Sequence, residues 1–207
     1  MIVEILVIFA LIALGGLIEL AVIYRLGRWL ARRLGDRMGY YTGNVLIFLG
    51  FMPFFVKYFQ VLRSWGTNAI GVPPWGYALG VVLVVSGLLI TWIGVHTLSS
   101  DRWWSKPKFQ KERREQLVDT GIYSILRHPT YLGQILMLYG LALLVDLQIA
   151  LVSAACLHIY LAFIHARIEE QRCIEIFGDQ YREYVNRTDA IIPWRALVRI
   201  SLRTHGS

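Results

Sequence analysis

Arg127, His128 and Pro129 stand together where a charged stretch of the chain gives way to an apolar one. Pro129 suits the first position of a helix, because its missing N–H costs nothing there and its φ is preset. The residues that follow, Thr130–Val145, are apolar and predict a helix that opens at the edge of a membrane. Its start would point unpaired backbone N–H groups and the positive end of the helix dipole toward Arg127 and His128, a place suited to an anion. Gly121, two residues before Tyr123, allows a tight turn that folds this loop back toward the helix start. A plain cap of the helix is the competing role for His128.

A carboxylate pair, Glu169 and Glu170, follows the last apolar stretch and could hold a cation. Solvated charges at a helix end are the competing reading, and on a helix the two side chains diverge by about 100°. His165 and Glu169 follow His158 by seven and eleven residues. On an uninterrupted α-helix that spacing places all three within roughly 20° of one face. His158 would lie inside the bilayer, where an ionisable group is a functional candidate, and lining a cavity or bridging helices by hydrogen bonds suits it. A metal site needs a convergent ligand set; the chain lacks repeated H-x-x-x-H boxes, so no metal is expected. Phe177-Gly178 with Tyr181 and Tyr184 reads as a turn plus an interfacial aromatic pair.

The elements that carry these residues must be membrane spans. Of 207 residues, 56% are hydrophobic and 17% are charged, whereas soluble domains carry about 25% charge. The mean hydropathy is +0.51. A net charge of +7 could suggest nucleic acid, but the basic clusters each adjoin an apolar span, as the positive-inside rule requires. No basic stripe with interleaved aromatics is present, which excludes nucleic acid as the partner. Cys156 and Cys173 form neither a disulfide framework nor a C-x-x-C motif. The start, MIVEILVIFA, lacks a basic n-region and a small-residue cleavage site, so it reads as a retained span.

Five transmembrane helices are expected, at about 2–24, 44–62, 75–98, 130–145 and 147–164. The first has a Gly15-Gly16 pair for close helix contact and Glu19, which either snorkels toward Arg25 or Arg28 or lines a cavity. The second holds Pro53, a source of a kink, and Lys57, which snorkels. In the third, Gly80, Gly87, Thr91 and Gly94 share a face and predict a packing groove. Residues 99–126, with Trp103-Trp104, form a surface segment. Only Asp146 separates the last two spans, which makes a tight hairpin. All but Lys57 and Arg63 of the 21 basic residues fall on one side, so the N-terminus is out and the C-terminus cytoplasmic. The fold class is all-α integral membrane.

The series Leu117-Val118, Gly121, Tyr123, Arg127-His128-Pro129, Tyr131, Gly133, Glu169-Glu170, Phe177-Gly178, Tyr181, Tyr184 and Ile192-Pro193 resembles the isoprenylcysteine carboxyl methyltransferase and phospholipid methyltransferase superfamily. Two positions depart from that pattern. Glu115 stands where members often have His, which leaves room for a non-catalytic scaffold, and Cys173 replaces the usual Leu.

The resemblance implies S-adenosyl-L-methionine as cofactor, held in a cytoplasmic pocket, and a lipophilic or lipidated acceptor arriving from membrane lipid. It implies cofactor-binding roles for Leu117, Val118, Gly121, Tyr123, His128, Pro129, Tyr131, Glu169, Glu170, Ile191 and Ile192, with Arg127 and Glu170 at the chemistry. Arg127 and His128 would take the anionic end of the ligand and the glutamates its ammonium. Tyr123, Tyr131 and residues 191–193 would wall the adenine. One domain is expected: three spans (1–98), a cofactor-binding connector (99–129), the hairpin (130–166) and a tail that closes the pocket (167–207).

The expected acceptor is a prenylcysteine-like carboxylate, which is already ionised and requires no base. A phospholipid amine, the in-class alternative together with other small hydrophobic acceptors, would need one, from Glu170 or His165. Related sterol reductases share part of the pattern and use a nicotinamide cofactor, but their build is longer.

Overall fold

The computed structural model describes residues 2–21, 26–35, 68–98 and 117–195, with a few positions between 38 and 60. Its helices are α1 (Ile2–Ala21), α2 (Gly27–Leu34), α3 (Pro74–Leu98), α4 (Pro129–Val145), α5 (Gln148–Tyr160), α6 (Ala166–Phe177) and α7 (Asp179–Arg187). A 3-10 turn at Gly121–Ser124 precedes α4, and a π-helical turn at Leu161–His165 joins α5 to α6. Among the described residues extended pairing is confined to two single bridges, Ala69 with Leu147 and Leu126 with Asp189. Pro53 and Lys57 of the expected second span, Trp103-Trp104, Glu115 and the side chain of Glu19 lie outside the described residues.

Among the described residues, two helices are long and apolar enough to cross a membrane, α3 and the continuous run Gln148–Phe177. In a bilayer, helices gain little from hiding apolar surface from lipid, so small residues that allow close approach decide which faces meet. The glycine stripe of α3 does this. A Cβ on Gly87 would lie 2.5 Å from the Gly133 carbonyl oxygen, and one on Gly80 would lie 3.0 Å from that of Gly140. The stripe is therefore a groove filled by α4. The opposite side of α3 leaves Trp75, Val82, Leu89 and Trp92 exposed, as a lipid-facing surface would. Against α5 lies α1, where Ile8 packs with Ile149 and Cys156.

The hairpin between α4 and α5 turns at Asp146, which adopts left-handed backbone angles of φ 53° and ψ 38°. Aspartate tolerates that region because its short side chain can bond locally. Here its Oδ1 accepts from the backbone N–H groups of Gly71 (3.0 Å) and Val72 (3.1 Å), and its Oδ2 from the Tyr77 hydroxyl (3.3 Å). One carboxylate thus pins the entry of α3 to the turn of the hairpin.

Helix α5 departs from expectation at its far end. It does not stop at Ile164 but continues through the π turn to Phe177. Thirty residues exceed what a ~30 Å hydrocarbon core requires at ~1.5 Å per residue, so a helix of this length crossing such a core would carry the charged end of α6 beyond it. The π turn lies between His158 and His165, and both imidazoles meet tyrosines of α4, Tyr139 and Tyr131. The imidazole of His158 faces the Tyr139 hydroxyl at 3.4 Å, while His165 and Glu169 face one another at 3.8 Å.

Candidate functional site

The start of α4 is built as its sequence requires. Pro129 occupies the first helical turn and is fully buried. His128 is the residue before it, but its side chain makes no capping bond to the helix, so the plain-cap reading fails. The loop that delivers these residues begins at Gly121, whose φ of +59° glycine adopts without the steric cost a Cβ brings. Leu117 and Val118, half-buried, lead into it. It is held from behind by the chain that follows α7. The backbone N–H groups of Arg127 and His128 donate to the carbonyls of Asp189 (2.8 Å) and Ala190 (2.9 Å), and that of Asp189 donates to Ile125 (2.9 Å).

Two buried tyrosines complete this attachment. The Tyr184 hydroxyl donates to the Tyr123 carbonyl at 2.7 Å, and Tyr181 packs edge-on against Tyr184. These rings are core residues, not an interfacial pair. Burial pushes the hydroxyls of Tyr123, Tyr181 and Tyr184 well above the ordinary tyrosine range, so all three stay protonated at neutral pH.

Arg127 does not present its guanidinium outward to an anion. Its Nε donates to Glu170 Oε1 at 2.6 Å, and its NH1 donates to the carbonyl oxygens of Thr188 (2.6 Å) and Val185 (3.3 Å). His128 Nε2 reaches the same Glu170 oxygen at 3.2 Å. Glu169 points elsewhere. Its Oε2 accepts from the Tyr131 hydroxyl at 2.5 Å and lies 3.9 Å from His128 Nδ1, while its Oε1 lies 3.8 Å from His165 Nε2. The rings of His128 and Tyr131 stack at 5.0 Å, 5° from parallel. The two carboxylates are 21% exposed, the three basic side chains 9–11%. The accessible front of the cluster is therefore acidic, with the bases behind it.

The structure brings Arg127, His128, Tyr131, Glu169 and Glu170 together, with Tyr123 behind the loop. Ile191 is separate. It lies in the apolar core with Ile135, Tyr160 and Leu161, while Ile192 is exposed. Three contributors escaped sequence reasoning. Asp119 pairs with Arg187 across the loop, Thr188 supplies a carbonyl to Arg127, and the Tyr160 hydroxyl meets His165 Nδ1 at 2.9 Å. The polar Thr188-Asp189 pair after α7 carries no strand pattern, so nothing in the sequence announces its bridge to Leu126.

The phospholipid methyltransferase family matches residues 75–180. The chain belongs to the phospholipid methyltransferase family. The match runs from α3 into α7 and includes every side chain of the acidic cluster and its bases. Methanethiol S-methyltransferase 1 of Bradyrhizobium diazoefficiens is 38% identical over 77 residues, 37% of this chain and 26% of that protein. Protein-S-isoprenylcysteine O-methyltransferase of Saccharomyces cerevisiae is 34% identical over 116 residues, 56% of this chain and 48% of that protein. The cobalt-zinc-cadmium resistance protein CzcN of Cupriavidus metallidurans is 29% identical over 117 residues, 56% and 54% of the two chains. The chain thus spans a quarter of the first relative and about half of the other two. No solved structure matches it.

The Arg127-His128 pair and the Glu169-Glu170 pair are far apart in sequence but form one polar cluster. The residues beyond 180, outside the family match, hold that cluster in place by backbone bonds.

Proposed function

We propose that this chain is an integral membrane methyltransferase that uses S-adenosyl-L-methionine and modifies a lipophilic acceptor, an isoprenylcysteine-like carboxylate first among them. The observation that carries the reading is the acidic-fronted cluster of Glu169 and Glu170 at the end of a long apolar helix, in a chain of the phospholipid methyltransferase family. The donor set fits the cationic end of that cofactor, because two partly exposed carboxylates lead the cluster. When bound, the cofactor supplies a methyl group activated by its sulfonium. Glu169, steadied by Tyr131, would take the ammonium. Glu170, Arg127 and His128 would fix the loop on which Gly121 and Tyr123 sit, with Leu117, Val118 and Ile192 beside the ligand and the buried Pro129 behind it.

The proposed site faces the cytoplasm, five spans carry it, and the segment after α7 closes it. An acceptor carboxylate is ionised at neutral pH and needs no base from the protein. The O-methyltransferase from yeast supports this acceptor by its name and likeness. A small thiol is the second reading, favoured by the 38% identity to the methanethiol S-methyltransferase. A thiol reacts as its thiolate, so its rate should climb toward its pKa.

Detergent-purified protein should bind S-adenosylmethionine and not NADPH. Labelled methyl transferred to a farnesylcysteine analogue should then be released by mild alkali as volatile methanol. A thioether or an N-methylated phospholipid would keep its label under that treatment. Binding of NADPH alone would overturn the cofactor reading, and alkali-stable label would overturn the carboxyl one.

A further inference from the structure

His165 takes no part in the carboxyl-methylating reading above, yet it is a buried imidazole at the site. It closes the π turn, and its two ring nitrogens face opposite partners. On one side Nδ1 meets the Tyr160 hydroxyl at 2.9 Å; on the other Nε2 faces Glu169 Oε1 at 3.8 Å. Residues five apart face each other in a π turn, whereas an α-helix would bring together those three or four apart. The π turn therefore makes the Tyr160–His165 contact. Its ring also stands edge-on to Tyr131, which donates to the other oxygen of Glu169. Room for the Tyr160 hydroxyl comes from α1, since a Cβ on Gly16 would overlap it.

We propose that His165 is a positioning residue for Glu169, held by the Tyr160 hydroxyl so that its Nε2–H faces that carboxylate. The bond at one ring nitrogen of a histidine decides which nitrogen carries the proton. With the Tyr160 hydroxyl as donor, Nδ1 accepts and the proton resides on Nε2. Glu169 is then steadied from two sides, by Tyr131 and by His165, in the orientation that receives an ammonium. The inference rests on the cofactor reading given above and adds to it a reason for the π turn, which otherwise only shortens the reach of the helix.

The test is S-adenosylhomocysteine affinity measured by calorimetry on full-length protein in detergent, for five chains: unaltered, His165→Leu, His165→Gln, Tyr160→Phe and Glu169→Gln. Glutamine keeps an N–H donor near the place of Nε2, and leucine does not. The expected result is about a tenfold loss for His165→Leu, most of it restored in His165→Gln, and a smaller loss for Tyr160→Phe, as for a charge-assisted bond weakened but not abolished. Nitrogen NMR of labelled histidine should show the Nε2-protonated form in the unaltered chain and a mixture in Tyr160→Phe. The Tyr160→Phe arm removes one oxygen and serves should His165→Leu fail to fold. Unchanged affinity in His165→Leu and Tyr160→Phe, with Glu169→Gln weakened, would overturn the role of His165 and leave the cofactor reading standing. Equal loss in the leucine and glutamine variants would reduce His165 to packing and overturn it too. No binding to the unaltered chain, or none of the loss expected in Glu169→Gln, would overturn the cofactor reading itself.

Discussion

Arg127 and Glu170, 43 residues apart in sequence, share a 2.6 Å bond that makes one carboxylate oxygen the meeting point of two helices and a loop. His128 reaches the same oxygen, and NH1 of Arg127 donates to the carbonyls of Val185, in α7, and Thr188, just after it. A guanidinium serves this junction because its planar fork can satisfy several acceptors at once, which a lysine cannot. Removing either partner takes away the ion pair and leaves the other charge half-buried, with only His128 beside Glu170 or two carbonyls beside Arg127.

Arg127→Ala should therefore lower stability by about 3 kcal/mol, the scale of a broken buried ion pair. Arg127→Lys should recover less than half of that loss. Thermal unfolding in detergent, followed by circular dichroism, measures both. The double variant with Glu170→Gln should be less destabilised than the sum of the single ones, because the second change removes the stranded charge. Additive losses would mean that the two groups do not support each other.

The contact of α3 with α4 makes a second expectation. Gly87→Val should lower the unfolding midpoint, at a cost of about 1–3 kcal/mol for overpacking, since even a Cβ at Gly87 presses on the Gly133 carbonyl and on Met137. Leu88→Ala, on the exposed side, should have little effect. A tolerant Gly87 with a sensitive Leu88 would reverse which face of α3 meets protein.

Helix positions were legible where composition decides them. Helices α3 and α4 begin within one residue of the places expected for the third and fourth spans, because Pro73-Pro74 and Pro129 mark them. The Arg127-His128 and Glu169-Glu170 clusters were legible as chemistry, though the direction of the Arg127 side chain was not. A sequence shows that a cation and a carboxylate are present, but which of them faces a ligand depends on residues such as Thr188 that hold the loop by backbone bonds. The π turn was hidden for a related reason. Nothing in Leu161–His165 favours it locally, and the Tyr160–His165 contact and the room made by Gly16 exist only after helices pack.

Asp146 combines two demands, a left-handed backbone and a carboxylate that accepts from the chain entering α3. Alanine meets neither, asparagine meets the first and keeps one acceptor oxygen. Asp146→Ala should cost about 1–2 kcal/mol from backbone strain alone, with Asp146→Asn well below that. Equal unfolding midpoints for the two variants would remove the left-handed turn as the reason for aspartate at this place.

The last expectation concerns which ends of the helices share a side of the membrane. Asn68 is exposed, and its carbonyl accepts from the Gln148 N–H at 3.1 Å, which places it beside the Asp146 turn. Gln180 is exposed in the first turn of α7, at the far end of the long helix that begins at Gln148. If that helix crosses the bilayer, the two positions must face opposite aqueous phases. In a chain whose Cys156 and Cys173 are alanine, an impermeant thiol reagent applied to sealed right-side-out vesicles should label Asn68→Cys and spare Gln180→Cys until the vesicles are opened. The assignment to inside and outside rests on the basic residues, of which all but Lys57 and Arg63 fall on the Gln180 side of the proposed scheme. Labelling of Gln180→Cys alone would invert the topology. Labelling of both in sealed vesicles would show that the helix from Gln148 does not cross, and the proposed cytoplasmic site would fall with it.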